Sequence, residues 1–128
     1  MSQENIDVVR GAYEAFATGD METVQRLIAD CEWHEMEGMP YGGVYTGAEA
    51  IFGNVFGPLT QDVEGFSVTP DELLDAGDRV VSLGRYSGTG TAGPVDAAFA
   101  HVWTVDNGRI SKFVQYTDTR RFGDAVGK

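Results

Sequence analysis

The sequence predicts an α+β fold, in which a mostly antiparallel sheet carries helices on one face only. Apolar residues recur at spacings of three and four in the first half of the chain, whereas the second half alternates with a period of two. In the strand predicted at residues 95–105, one face is bulky and carries His101 and Trp103, and the other is small and apolar at Ala100 and Val102. Such a strand fits a sheet that faces helices on one side and another sheet or subunit on the other.

Helical and strand patterns divide the chain into eight elements. Helices are predicted between Ser2 and Gly19, between Asp20 and Asp30, and at residues 48–59, and strands at residues 31–36, 65–76, 79–87, 95–105 and 109–117. Residues 37–47, rich in glycine, are predicted to form a loop, and Pro70 indicates an edge strand or a bulge. The patterns show no linker or repeat, so residues 1–128 are predicted to form one domain.

The turn at Asn107-Gly108 leaves the pairing of the last two strands open. A two-residue loop places His101 opposite Val114, with Lys112, Tyr116 and Asp118 on the same face. A three-residue loop places His101 opposite Phe113, with Gln115 and Thr117 on its face. The three-residue loop is favoured because Asp106 suits its start and because it keeps the charge of Lys112 off the histidine face.

Composition excludes several classes of partner. Nine lysine and arginine residues against twenty aspartate and glutamate residues give a formal charge of -11, which argues against nucleic acid and anionic membranes as partners. Cys31, the one cysteine, cannot form an internal disulfide, and no apolar run approaches the length of about 20 residues that a membrane span needs. The first residues show no basic, apolar leader, so a cytoplasmic location is expected.

Several short motifs follow one another in a familiar order. They are AFATGD at residues 15–20, LIAD at 27–30, WH at 33–34, YTG at 45–47, VWTV at 102–105, NGRI at 107–110 and YTD at 116–118. With this element order, the chain resembles the nuclear transport factor 2-like superfamily, which includes ketosteroid isomerase and the SnoaL-like polyketide cyclases. The resemblance implies a single SnoaL-like domain with a cone-shaped, cystatin-like fold, in which a curved sheet wraps around three helices.

The catalytic positions of ketosteroid isomerase are not kept. By the resemblance, its helix-one tyrosine falls on Ala12, beside Tyr13; its general base falls on or near Met36, between Glu35 and Glu37; and its protonated aspartate falls on His101. Steroid isomerisation is therefore not expected, although the same cavity geometry supports other proton transfers.

The SnoaL-like cyclases imply a different set of residues. By this resemblance Asp118, near the end of the last strand, abstracts a proton next to a carbonyl, and His34 and His101 polarise the developing enolate. Along the strand Asp118 lies some distance from His101, so the two are expected to flank opposite ends of one cavity. The expected ligand-binding residues are Tyr13, Phe16, Tyr41, Tyr86, Phe99, Trp103, Phe113 and Gln115.

The expected ligand is a small apolar or carbonyl-containing molecule, and no cofactor is expected. The expected activity is a cofactor-independent isomerisation or cyclisation. The alternative is a binding module without catalytic activity. An epoxide hydrolase is ranked lower, because Arg85 is the only residue that supports it. Histidines and carboxylates do not show metal-ligand spacing, so no metal site is expected. A homodimer is expected through the sheet face that carries Ala98, Ala100 and Val102.

Overall fold

The computed structural model describes residues 2–128 as five α-helices and six strands. The helices are α1 (Ser2–Thr18), α2 (Met21–Leu27), α3 (Ala48–Ile51), α4 (Gly57–Asp62) and α5 (Thr119–Val126), and the π-helical segment Phe52–Phe56 joins α3 to α4. The strands are β1 (Glu32–Glu35), β2 (Gly43–Thr46), β3 (Val63–Ala76), β4 (Arg79–Gly90), β5 (Pro94–Asp106) and β6 (Arg109–Thr117). The predicted α+β class is confirmed.

The six strands form one sheet in the order β2-β1-β6-β5-β4-β3. Only β1 and β6 run parallel, and the other neighbours are antiparallel. The sheet does not close, because β2 and β3 remain as its two edges. Pro70 lies in the edge strand β3, next to a bulge between Pro70 and Glu72, as its missing N–H predicts.

Two elements were missed. Strand β2 lies within residues 37–47, which were predicted to be a loop, and it pairs with β1. Helix α5 follows directly on β6, where Asp118 caps its first turn and Gly127 ends it with a φ of 73°. Both elements are short, and β2 owes its extended conformation to pairing with β1 rather than to an alternating pattern of its own.

The turn between β5 and β6 has two residues, so the favoured three-residue loop was wrong. Asp106 pairs with Arg109, and Asn107 and Gly108 take φ values of 51° and 76° between them. Positive φ at both central residues defines a type I′ turn, which explains the Asn-Gly sequence.

A bulge at Ser111 then changes the register. Thr104 pairs with Lys112 while its neighbour pairs with Ile110, so Ser111 is the extra residue. His101 therefore lies opposite Gln115, and neither predicted partner was right. The face predicted for the three-residue loop is nevertheless confirmed, because the bulge shifts the pairing by one residue and returns Gln115 to the histidine side.

The helices cover one face of the sheet and define an inner side. Helix α1 packs across the strands β3 to β6, and the inward residues of β5 are buried from Val95 to Val105 at every second position. Aromatic rings fill much of this layer; the rings of Trp33 and Phe113 stack with centroids 3.7 Å apart. In residues 2–128 no helix is long and apolar enough to cross a membrane.

The opposite face of β5 remains open to solvent. Ala98 is exposed, and Ala100 and Val102 are half-buried. We predict that two copies pair through this face and that Val102→Lys, which places a charge in the contact, converts the dimer to a monomer. Light scattering coupled to size exclusion measures both masses, and a wild-type mass equal to one chain contradicts the prediction.

Gly84 in β4 is required by the close approach of β3 and β5. A Cβ atom at this position would overlap the carbonyl oxygen of Thr69 and would come within 2.7 Å of the ring of Phe99. Because the overlapping atom belongs to the backbone, we expect Gly84→Ala to lower the free energy of unfolding by about 3 kcal/mol. Urea unfolding measures this effect, and Gly11→Ala, in open space on α1, is the control that should raise the free energy of unfolding by up to about 1 kcal/mol.

Candidate functional site

A cavity of about 590 Å³ lies between the inner face of the sheet and the helices. Its walls are mainly aromatic and aliphatic, which is typical of small-molecule sites. Val55 and Phe56 of the π-helical segment line one side, and the bulged start of β3 lines another at Glu64 and Ser67. Six predicted ligand-binding residues line this cavity: Tyr13, Phe16, Tyr86, Trp103, Phe113 and Gln115.

Among residues 2–128, Glu35 is the one buried acidic side chain that lines the cavity. It ends β1 on the same face as Trp33, is 5% exposed, and accepts a hydrogen bond of 2.9 Å at Oε1 from Trp33 Nε1. Burial raises the pKa of the Glu35 carboxyl to about 7, against the opposing effect of hydrogen bonding from Trp33 and Gln115. A carboxyl with such a pKa exchanges a proton readily near neutral pH.

His101 lies on the cavity wall with both ring nitrogens occupied. Its Nδ1 is 2.6 Å from the hydroxyl of Tyr13, and its Nε2 is 2.5 Å from the hydroxyl of Tyr86. The ring stacks on Phe99 with centroids 3.9 Å apart. Burial lowers the pKa of His101 well below its usual value, so the imidazole is neutral at physiological pH.

Gln115 connects this histidine to the end of β1. Its Oε1 accepts a hydrogen bond of 3.0 Å from the backbone N–H of Met36, and this contact orients the amide group. Its Nε2 therefore donates to the hydroxyl of Tyr86 over 2.8 Å. Burial also raises the pKa of Tyr86, as does the nearby charge of Glu35, so the phenol remains protonated.

The structure does not bring His34 and Asp118 into the cavity. His34 points to the other side of β1, where its Nε2 lies 2.6 Å from Glu32 Oε2. It lines a second concavity, which shares Glu35 and Gln115 with the main cavity. Asp118 is exposed, and its Oδ1 accepts a hydrogen bond of 3.0 Å from the backbone N–H of Arg121 as the N-cap of α5. The expectation that His34, His101 and Asp118 face one cavity was therefore wrong.

Two predicted ligand-binding residues also lie outside the cavity lining. Tyr41 donates its hydroxyl proton to Asp62 Oδ2 over 2.8 Å and packs edge-on against Phe122. Phe99 lies behind the imidazole of His101, so it supports the wall from the rear. Both residues stabilise the site's surroundings rather than contact its interior.

The charges around the cavity are acidic only. Among residues 2–128, no lysine or arginine lines it, whereas Glu35 and Glu64 do. Arg85 lies on the outside of the sheet in an exposed pair with Asp96, with 2.6 Å between Nη2 and Oδ1. The described residues contain no group of three histidine, cysteine, aspartate or glutamate side chains that could hold a metal ion.

Glu35 is the functional candidate that sequence reasoning missed. The alternation of β1 places Trp33 and Glu35 together on one face, and a face with a tryptophan is the one more readily buried. That signal was available, but it competed with His34 on the opposite face. Only the packing of β1 beside β6 shows which face turns inward.

An open curved sheet that folds over helices to enclose an apolar cavity with a few convergent polar groups defines a class of small α+β folds. The SnoaL-like domain family model matches residues 9–113, and the chain belongs to this family. No curated protein sequence matches this chain.

Solved structures agree with this assignment. A nuclear transport factor 2-like protein from Burkholderia thailandensis is 40% identical over 94% of this chain and 95% of its own, with a TM-score of 0.88. TerC, co-crystallised with polyporic acid, is 27% identical over 98% and 99% of the two chains, with a TM-score of 0.88. A Shewanella putrefaciens protein, provisionally named a SnoaL-like polyketide cyclase, shares the fold at 19% identity, 99% and 98% coverage and a TM-score of 0.79.

Proposed function

We propose that this protein is a cofactor-independent enzyme that moves a proton next to the carbonyl group of a small apolar ligand, with Glu35 as the proton acceptor. Glu35 is a buried carboxyl with a pKa of about 7 on the wall of an apolar cavity, and this observation carries the proposal. Its pKa lets it take up a proton at neutral pH and return it at another position, as isomerisation and aldol-type cyclisation both require. Glu35 replaces Asp118, whose carboxylate is engaged at the start of α5.

The cavity supports a neutral ligand. An anionic ligand would meet the carboxylates of Glu35 and Glu64 without a cation to pair with. The aromatic walls suit a planar or polycyclic compound, and the hydroxyl and amide groups of Tyr86 and Gln115 supply the polar contacts.

A binding module without chemistry is the second candidate. It is favoured by the full occupation of His101, which leaves neither ring nitrogen free to act on a ligand directly. Epoxide hydrolysis finds no support in the cavity, because Arg85 faces outward.

Deuterium exchange from D₂O separates the two candidates. A panel of cyclic and aromatic ketones is incubated with the protein, and mass spectrometry measures deuterium at the carbon next to the carbonyl. An enzyme of the proposed class exchanges that position faster than buffer does, and the excess depends on Glu35. A ligand that binds without any excess exchange, across the whole panel, supports the passive module instead.

A further inference from the structure

A chain of buried hydrogen bonds runs along the inner face of the sheet and ends at Tyr86 on the cavity wall. It joins Trp103 Nε1 to Ser82 Oγ over 3.0 Å, Ser82 Oγ to the hydroxyl of Tyr13 over 2.5 Å, and Tyr13 to His101 Nδ1 over 2.6 Å. His101 Nε2 then lies 2.5 Å from the hydroxyl of Tyr86, which lines the cavity. Each contact takes one proton, so the direction of one bond limits the directions of its neighbours.

Ser82 fixes that direction. The indole N–H of Trp103 can only donate, so Ser82 Oγ accepts from it. If Tyr13 also donated to Ser82, the Ser82 hydroxyl proton would have no acceptor, because within residues 2–128 its oxygen bonds only to Trp103 and Tyr13. Ser82 is 0% exposed, and a fully buried donor without an acceptor is costly and rare. Ser82 therefore donates to Tyr13.

The remaining protons can then be placed in two ways. In the first, Tyr13 donates to His101 Nδ1, and the one proton of the neutral imidazole is on Nε2 and is donated to the oxygen of Tyr86. Because that oxygen also accepts from Gln115, the hydroxyl proton of Tyr86 is left for a group in the cavity that Tyr86 lines. In the second, His101 Nδ1 donates to Tyr13, and the proton left for the cavity is that of Tyr13.

We propose that His101 is held as the Nε2–H tautomer and that Tyr86 is the catalytic hydrogen-bond donor to the carbonyl oxygen of the ligand. This role rests on the proposed function. When Glu35 takes the proton from the carbon next to the carbonyl, the C–H electron pair forms the new C=C bond and the C=O pair moves to oxygen. The Tyr86 hydroxyl stabilises that charge by its hydrogen bond, and Glu35 returns its proton to carbon in the second step.

His101 is therefore a positioning residue in this scheme rather than a group that touches the ligand. Its Nε2–H donates to the oxygen of Tyr86, so the hydroxyl proton of Tyr86 cannot be donated to the imidazole. Trp103, Ser82 and Tyr13 form the series of donors that holds the imidazole in this tautomer. The arrangement assigns a task to a buried histidine that has no nitrogen left for a ligand.

Nitrogen NMR of protein labelled with ¹⁵N-histidine tests the tautomer without any ligand. The chain has two histidines, and His34→Asn removes one set of signals and so identifies His101. We expect His101 Nε2 to carry the proton and Nδ1 to remain unprotonated at about neutral pH. A proton on Nδ1, or a mixture of the two tautomers, overturns the proposal, and no variant of the buried chain is needed to see it.

Binding of 2-naphthol tests the donor role, because its neutral hydroxyl oxygen can accept a hydrogen bond from Tyr86. We expect Tyr86→Phe to weaken binding by about 2- to 10-fold, since a hydrogen bond to a neutral oxygen is lost. Tyr116→Phe makes the same change on the exposed side of β6 and should bind as the wild type does. Equal affinity of Tyr86→Phe and wild type, with native circular dichroism in both, overturns the donor role, as does the absence of naphthol binding to the wild type.

These results separate the two proposals. If Glu35→Gln leaves deuterium exchange unchanged, the proposed function fails, while the tautomer and the naphthol contrast are still measured as properties of the folded protein. If exchange depends on Glu35 but His101 carries its proton on Nδ1, the assignment of Tyr86 fails and the proposed function stands.

Discussion

Glu35→Gln is expected to reduce the deuterium exchange catalysed by the wild type by about 100- to 10,000-fold, the usual contribution of a general base. The substitution keeps the size of the side chain and an oxygen that can accept from Trp33 Nε1. It removes only the ability to bind a proton. A large loss of exchange with retained ligand affinity therefore assigns proton transfer to this carboxyl.

The pH profile offers an independent check on the same residue. Exchange by the wild type should rise as pH increases through about 7 and then level, because the base must be ionised to accept a proton and burial raises the pKa of Glu35 to about 7. Glu37→Gln is the matched control, since Glu37 is exposed and lies two residues along the chain, outside the lining of the main cavity. Loss of exchange in Asp118→Asn, with Glu35→Gln active, returns the role to the residue that the resemblance named.

The sequence was sufficient for the fold because its signals are local and mutually consistent. The period-two alternation of β5 and the Asn107-Gly108 turn lie in the segment they describe, and both agree with the sheet observed. Helix α5 also has local signals, because Asp118 caps its start, Phe122 is buried and Gly127 ends it. The helix was nevertheless missed, because a segment of eight residues after the last strand is easily taken for an irregular tail.

The candidate site was harder to predict because it depends on which face of each strand turns inward. The predicted pairing placed His101 and Gln115 on the same face of the sheet. They share that face only because the bulge at Ser111 shifts the pairing by one residue. Glu35 and His34 are adjacent in sequence and lie on opposite sides of β1, so one of the two had to be outside the cavity. No local pattern shows that a glutamate will be buried and its pKa raised, because burial is a property of the packed structure.

The same buried carboxyl should make the protein less stable above neutral pH. The pKa of Glu35 rises from its ordinary value of 4.5 to about 7 on folding, so between these values the folded state binds a proton that the unfolded state releases. This stabilisation is complete below pH 4.5 and is lost as pH rises through about 7. With about 1.4 kcal/mol for each pKa unit, the cost at higher pH is about 3 kcal/mol.

Glu35→Gln removes this cost, because glutamine stays neutral at every pH. We expect the variant and the wild type to unfold with similar free energies at about pH 5, and the variant to be more stable by about 3 kcal/mol at about pH 8.5, as urea unfolding at both values can measure. Other carboxylates titrate in both proteins, so their effects cancel in the difference between the two free energies of unfolding. For the control Glu37→Gln, the free energy of unfolding should stay within about 0.5 kcal/mol of the wild-type value at each pH. A difference that does not change with pH would show that the carboxyl is ionised without penalty in the folded protein. Glu35 would then lack the raised pKa that a base near neutral pH needs. A Glu35→Gln variant that is more stable above neutral pH and has lost deuterium exchange would support both the raised pKa and the catalytic role of Glu35.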